Sequence, residues 1–322
     1  MNYRNLKGTD LDVSRACFGT MTFGSQVNEA LATTMVNYCL EQGINFFDTA
    51  NVYHQGVSEQ FLGKALRGKR EKIILASKVR GKMGEGADQV GLSRAAIIRA
   101  VDETLQRLQT DYLDIYYLHQ PDYDVPLEET LQTMQELVKS GKVLYPATSN
   151  YASWQVGAML CLADSKKYKR SVIAQQMYNL LARGIEQEFI PMAKELGVSL
   201  IAYNPLAGGL LTGKHHGSAI TPGTRFDKNA MYQDRYWHEQ NFAAVERLQT
   251  LAETSGRSLI SLALNWLMHH TPTDCIILGA SRIEQLQQNL AALAEGPLAP
   301  EVVERCDEIW RDLRGPTPTY NR

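Results

Sequence analysis

The run LDIYYLHQPDYDVPLEETLQTMQELVKSGKVLYPATS (residues 113–149) holds the unit from which the chain is built. Residues 113–119 are short, apolar and rich in aromatic and β-branched side chains, the composition of a buried strand. Leu127, Leu131, Met134 and Leu137 then recur at helical spacing, and Gly141 stands where a C-capping glycine belongs. Residues 143–149 form a second apolar run. Strand, helix and strand, with both strands nearly continuously apolar, mean parallel pairing beneath a helical cover.

The same alternation extends in both directions. Strands are expected near 16–20 (ACFGT), 44–48 (INFFD), 73–78 (IILASK), 113–119, 143–149, 172–178 (VIAQQMY), 199–203 (SLIAY) and 275–279 (CIILG). Ser93 suits an N-cap, and Ile97, Ile98, Val101, Leu105 and Leu108 mark one face of the helix after it. Eight such units favour an α/β fold of the closed (β/α)8 TIM-barrel type, with an open doubly wound sheet as the alternative, because periodicity does not distinguish closure from an edge. No Pro/Gly/Ser tract or charge block divides the chain, so residues 1–322 read as a single domain. The opening YRNLKGTDLDVS reads as a β-hairpin turning at Gly8, set to close the barrel floor. A long loop follows the seventh strand, within the interval 204–274; such loops are usually functional.

Composition excludes several classes. With 44% hydrophobic and 21% charged residues the chain is of ordinary globular type, and its net charge of −2 recommends no nucleic-acid partner. No apolar run approaches the roughly 20 residues of a membrane helix, and MNYRNLKGTD lacks a signal-peptide core. Cys17, Cys39, Cys161, Cys275 and Cys306 are scattered and never paired as C-x-x-C, which fits free buried thiols in a reducing cytoplasm.

In a barrel, chemistry gathers at the C-terminal strand ends. There stand Asp48, Lys78, His119, Ser149, Asn150, Gln175 and Tyr203, with Tyr53 just beyond the second strand in D-T-A-N-V-Y. Singly, each reads as a cap, a rim tyrosine or a core histidine; together they are hard to read so. A lysine ammonium beside a tyrosine stabilises its phenolate, and a carboxylate keeps that lysine charged. Such a phenol gives a proton to a developing alkoxide while a neutral imidazole orients the carbonyl. Other motifs fail. Gly208, Gly213 and Lys214 form G-x-x-x-x-G-K, but His215 replaces the hydroxyl residue of a P-loop. GKMGEG (81–86) lacks the G-x-G-x-x-G order and reads as a mobile loop. The adjacent pairs His215–His216 and His269–His270 lack the i, i+4 spacing of metal ligands, so no metal is expected.

The G-x-N-F-F-D-T-A-x-x-Y segment (43–53), the strand-end Lys and His and the Ser-Asn pair resemble the aldo-keto reductase superfamily. The resemblance implies hydride transfer from NADPH in an ordered, cofactor-first reaction, with Tyr53 as proton donor beside Asp48, Lys78 and His119. It implies that Ser149, Asn150 and Gln175 hold the carboxamide of NADP(H), and that Tyr203 stacks on the nicotinamide. The loop Asn204, Pro205, Leu206, Gly208, Gly209, Leu210 and Lys214 would wrap the pyrophosphate, with Met21 and Arg225 also at the cofactor. After the last strand Gly279, Ser281, Arg282, Gln285, Gln288 and Asn289 would take the 2′-phosphate and adenine, the arginine favouring NADP over NAD.

Longer stretches, among them YLDIYYLHQPD, SNYASWQV, NPLAGGLLTGK and the terminal PTYNR, are similar to the subgroup that reduces aflatoxin dialdehyde and succinic semialdehyde. That similarity implies a small-molecule aldehyde, a homodimer, and an anionic substrate end held by Tyr232, Arg235 and Arg322. Two departures stand out: Arg282 replaces a serine, and His54 is expected to narrow the pocket. Alternatives are a broad reductase of methylglyoxal, glyceraldehyde derivatives or pyridoxal, and a redox-sensing NADP-binding subunit like the potassium-channel β proteins.

Overall fold

Closure is decided at one strand. In the computed structural model, which describes residues 1–215 and 219–317, β10 (Cys275–Gly279) pairs in parallel with both β3 (Ala16–Gly19) and β9 (Ser199–Tyr203). Between them lie β4 (Phe46–Asp48), β5 (Ile74–Val79), β6 (Leu113–Leu118), β7 (Val143–Ser149) and β8 (Ile173–Met177), each parallel to its neighbours. The ring order β10-β3-β4-β5-β6-β7-β8-β9 leaves no edge, so the open sheet is ruled out. All eight expected strands are present; the largest trim is two residues off the start of the 44–48 run.

The covering helices are α1 (Glu29–Glu41), α2 (Val57–Ala65), α3 (Arg94–Leu108), α4 (Leu127–Lys139), α5 (Ser153–Lys166), α6 (Phe189–Glu195), α7 (Ala230–Tyr236), α8 (Glu239–Thr254), α9 (Leu259–His269), α10 (Ile283–Ala294) and α11 (Pro300–Arg314). Ser93 caps α3 by accepting from the Ala96 amide, and Gly141 follows α4 at φ 75°. The interval 204–274 is less open than its length suggests. A turn of 3-10 helix (Ala207–Thr212) and α7 interrupt it, and α8 and α9 fill its second half. The glycine-rich stretch after β5 is also held: Met83 N–H donates to the Gln89 carbonyl (2.8 Å) and Gly91 N–H to that of Arg80 (3.0 Å).

Strand side chains alternate between two faces. One set, including Phe18, Phe47, Leu75, Tyr116 and Leu118, packs outward against the helices. The other, including Cys17, Phe46, Ile74, Ile115, Tyr145, Ile173 and Ile201, fills the barrel. The predicted hairpin, β1 (Tyr3–Asn5) against β2 (Asp12–Ser14), turns at Gly8 with φ 67° and inserts Leu6, Leu11 and Val13 beneath that inner cluster. It is pinned there: Lys7 N–H donates to Ser199 Oγ (2.8 Å) and Tyr145 OH to Asp10 Oδ1 (2.6 Å). Four cysteines are buried as expected, but Cys161 is exposed on α5. Among the described residues no helix is long and apolar enough to cross a membrane.

Candidate active site

Continuing the inward alternation one step past the apolar layer brings each strand to a polar residue. Beyond Phe46 comes Asp48; beyond Ala76, Lys78; beyond Tyr117, His119; beyond Ala147, Ser149; beyond Ile173, Gln175; beyond Ile201, Tyr203. The period of two places all six at one end of the barrel.

Lys78 is fully buried, and its three protons are directed to Asp48 Oδ1, the Thr49 carbonyl (2.7 Å) and Tyr53 OH (3.4 Å). Gln175 donates to the other Asp48 oxygen (2.9 Å), so this carboxylate has a partner on each side. Burial alone would lower the Lys78 pKa, but Asp48 and then Tyr53 outweigh it and hold the ammonium above its ordinary value. Burial pushes the Tyr53 phenol up, and Lys78 opposes this without overcoming it. Desolvation outweighs the lysine, and Tyr53 stays protonated at neutral pH. Burial, aided by Lys78 and Arg80, lowers the His119 pKa to about 3, so its imidazole is neutral. The Tyr53 and His119 rings meet edge-on at 6.0 Å. A proton-holding phenol and an uncharged imidazole thus share one surface.

Tyr53 begins a 3-10 turn whose next residues, His54 and Gln55, are left-handed at φ 49° and 53°. This turn carries His54 outward: the residue is exposed, its Nε2 lies 3.2 Å from the Met21 carbonyl, and it does not line the cavity. The expectation that His54 narrows the pocket is therefore corrected. Beneath the turn Ser58 Oγ links Thr20 (2.8 Å) and Thr49 (3.0 Å), a buried hydroxyl cluster that the sequence reading missed.

The site opens into a cavity of about 1150 Å³. Asp48, Tyr53, His119, Ser149, Asn150, Gln175 and Tyr203 line one part of it, and Lys78 lies directly below. Tyr203 OH donates to Asn150 Oδ1 (2.6 Å), while Asn150 Nδ2 donates to the His119 carbonyl (2.8 Å). Along the β9 side lie Met21, Asn204, Pro205, Leu206, Gly208, Gly209, Lys214 and Arg225. Gly208 and Gly209, at φ 69° and 109°, let the backbone turn here; a Cβ on Gly208 would stand 2.8 Å from the Tyr232 ring. Leu210 turns its side chain to the core and, alone of the loop's named residues, does not line the cavity. At the far end lie Gly279, Ser281, Arg282, Gln285, Gln288 and Asn289.

Tyr232 and Arg235 also line the cavity; Tyr232 OH donates to Asn204 Oδ1 (3.2 Å) and Arg225 to Tyr232 OH (3.2 Å). Arg322 and the PTYNR end lie outside the described residues. Lining residues that sequence reasoning missed include Arg80, Gly81, Gln120, Thr212 and Met231. Strand-end position was a usable signal only for the first three.

Two features bear on a large anionic ligand. Lys214, Arg225 and Arg282 share the cavity and none forms an ion pair among the described residues; burial, then Arg282 and Arg225, lowers the Lys214 pKa. In addition, Asn204 Nδ2 is buried without a partner. An uncompensated cationic cluster over a glycine turn fits phosphate groups.

A barrel with these groups at its C-terminal mouth defines a class of enzyme that handles carbonyl compounds by proton transfer. Comparison with known proteins gives the family. The aldo/keto reductase family model matches residues 15–311, and the chain belongs to that family. It is an oxidoreductase, of a family that acts on small-molecule carbonyl substrates. An aflatoxin B1 aldehyde reductase (member 2) of Rattus norvegicus is 37% identical, over 94% of this chain and 86% of the relative. Aldo-keto reductase family 7 member A3 of Homo sapiens is 36% identical, over 94% and 96%. A probable voltage-gated potassium channel subunit beta of Arabidopsis thaliana is 33% identical, over 96% of both chains.

Proposed function

We propose that this enzyme reduces aldehydes to primary alcohols with NADPH, favouring small aldehydes that carry a carboxylate, such as succinic semialdehyde. The carrying observation is the pairing of a protonated Tyr53 with a neutral His119 above the buried Lys78–Asp48 pair. Bound NADPH supplies the hydride. Tyr53 gives its proton to the substrate oxygen, Lys78 steadies the phenolate left behind, and Asp48 keeps Lys78 charged and aimed. His119, being neutral, donates a hydrogen bond to the same oxygen without competing as an acid.

Ser149, Asn150 and Gln175 would hold the cofactor's carboxamide and Tyr203 would stack on its ring. Lys214, Arg225 and Arg282 would meet its phosphates, with Arg282 on the one that separates NADP from NAD. Tyr232, Arg235 and Arg322 would hold the substrate's anionic end. Five unpaired cysteines suit a reducing compartment such as the cytoplasm. The test is steady-state NADPH oxidation against paired aldehydes with and without a carboxylate; turnover with none of them would sink the reading. The channel-subunit relative supports a second reading, an NADP-binding sensor, which predicts tight cofactor retention and very slow reduction of every aldehyde.

A further inference from the structure

Arg80 follows β5, two residues beyond Lys78, and lines the cavity with Tyr53 and His119. Three observations single it out. Its guanidinium has no hydrogen bond or ion pair among the described residues, and Nε is buried without a partner. By contrast the similarly placed Arg70, Arg107 and Arg183 are engaged, with Asp114 (2.6 Å), Glu59 (2.6 Å) and Glu186 (2.7 Å). Secondly, its backbone lies at φ 120°, whereas the other non-glycine residues with positive φ cluster between 49° and 63°. A conformation this sparsely populated costs free energy and persists where the surroundings impose it, commonly at functional sites. Thirdly, Gly81 packs so closely on Val52 that a Cβ there would stand 2.5 Å from Val52 Cβ. The Arg80 segment is thereby keyed to the one that carries Tyr53.

The ring order adds a direction. β5 stands four strands from β9 whichever way the barrel is followed, so Arg80 projects from the side opposite Asn204, the glycine turn and Arg235. The cations suited to cofactor phosphates lie along β9 and β10, which leaves Arg80 unclaimed by that ligand.

We propose that Arg80 is a specificity-determining residue that receives a substrate carboxylate lying close to the reacting carbonyl. This deepens the acidic-aldehyde reading above and rests on it. A guanidinium fork recognises a carboxylate bidentately, and one that faces the cavity with no partner among the described residues is free to do so. Because Arg80 is also among the charges that keep His119 neutral, a second role must be told apart from recognition.

The experiment compares 2-carboxybenzaldehyde, whose carboxylate adjoins the carbonyl, with benzaldehyde, using wild type, Arg80→Gln, Arg80→Lys and Arg80→Gly. Arg80→Gln should lower kcat/KM for 2-carboxybenzaldehyde by roughly ten- to a hundredfold, mainly through KM, and leave benzaldehyde within about threefold. Arg80→Lys should lie between. Arg80→Gly, whose residue tolerates φ 120°, should show the same selective loss while melting no lower than wild type, which separates lost recognition from lost folding. Equal loss on both aldehydes, or none on either, overturns the assignment. So does a new acid limb near neutral pH with both aldehydes, for Arg80 would then act through His119. A wild-type enzyme inert toward both aldehydes takes down the reductase reading itself, whereas an active wild type with an unselective Arg80→Gln takes down only Arg80.

Discussion

The two ends of the barrel are built on opposite terms. At the floor, the hairpin's Leu6, Leu11 and Val13 are buried and its polar groups find partners on β7, β9 and the start of β4. At the mouth, His54, Gln55, Arg80, Asn150, Asn204 and Ala207 take positive φ without being glycine, and Asn51, Arg80 and Asn204 keep buried polar atoms unpaired. The floor end has left-handed residues too, Gln109 and Lys167, but these are helix C-caps; at the mouth conformational strain and unmet hydrogen-bonding capacity fall on the same residues, Arg80 and Asn204. The difference locates the chemistry independently of any motif, because strained, unpaired groups are retained where a ligand completes them.

The contrast can be broken from either end. The largest effect should come from Tyr53→Phe, which removes the proton donor and should lower kcat by about 10²–10⁴ or more. NADPH binding, followed by quenching of tryptophan fluorescence, and melting temperature should hardly change. Retention of more than a few per cent of wild-type kcat would remove Tyr53 from its role. Lys78→Met comes next: it strands the buried Asp48 and should destabilise the fold by roughly 3–5 kcal/mol in urea unfolding. Adding Asp48→Asn should restore much of that stability and none of the activity. At the floor, Leu6→Ala should cost about 2–5 kcal/mol with KM and kcat unaltered at temperatures where the protein stays folded. A floor variant that changed KM selectively would show the two ends to be coupled.

Arg282→Ala should weaken NADPH by about 1.5–3 kcal/mol, roughly ten- to a hundredfold, and leave NADH nearly unmoved. Equal losses would detach Arg282 from the 2′-phosphate. The smallest effect concerns His119. Its folded pKa, near 3, lies below the ordinary 6.5, so the unfolded chain binds the extra proton first. This contribution is complete above about pH 6.5 and is lost as pH falls toward 3. Between pH 7 and pH 5 the melting temperature of His119→Gln should fall less than that of wild type.

Much of this was legible in advance because strand alternation is rigid. Once the strand ending in Asp48 is recognised, the facing of Lys78, His119 and Gln175 follows from counting by twos. Other features depend on quantities that a linear pattern does not carry. Leu210 sits in a single 3-10 turn, where one residue's rotation separates core from cavity. His54 is swung outward by two successive left-handed residues. A lysine near Tyr53 is visible in the sequence, but the desolvation that outweighs it is not. Arg80 reads as an ordinary charge beside a glycine until its φ and its missing partners are seen.

The hairpin under the barrel has a consequence for how the chain is made. Lys7 rests on Ser199, 192 residues later, and Ala16 pairs with Ile276. At a ribosomal pace of about 5–20 residues per second, roughly ten to forty seconds separate synthesis of Lys7 from that of its seat. During that interval Leu6, Leu11 and Val13 have no barrel to occupy, and β3 has a neighbour on only one side. The hairpin emerges before every strand of the barrel and is one of the last segments to be housed. Until then its apolar side chains are what a chaperone, or another nascent copy, would meet.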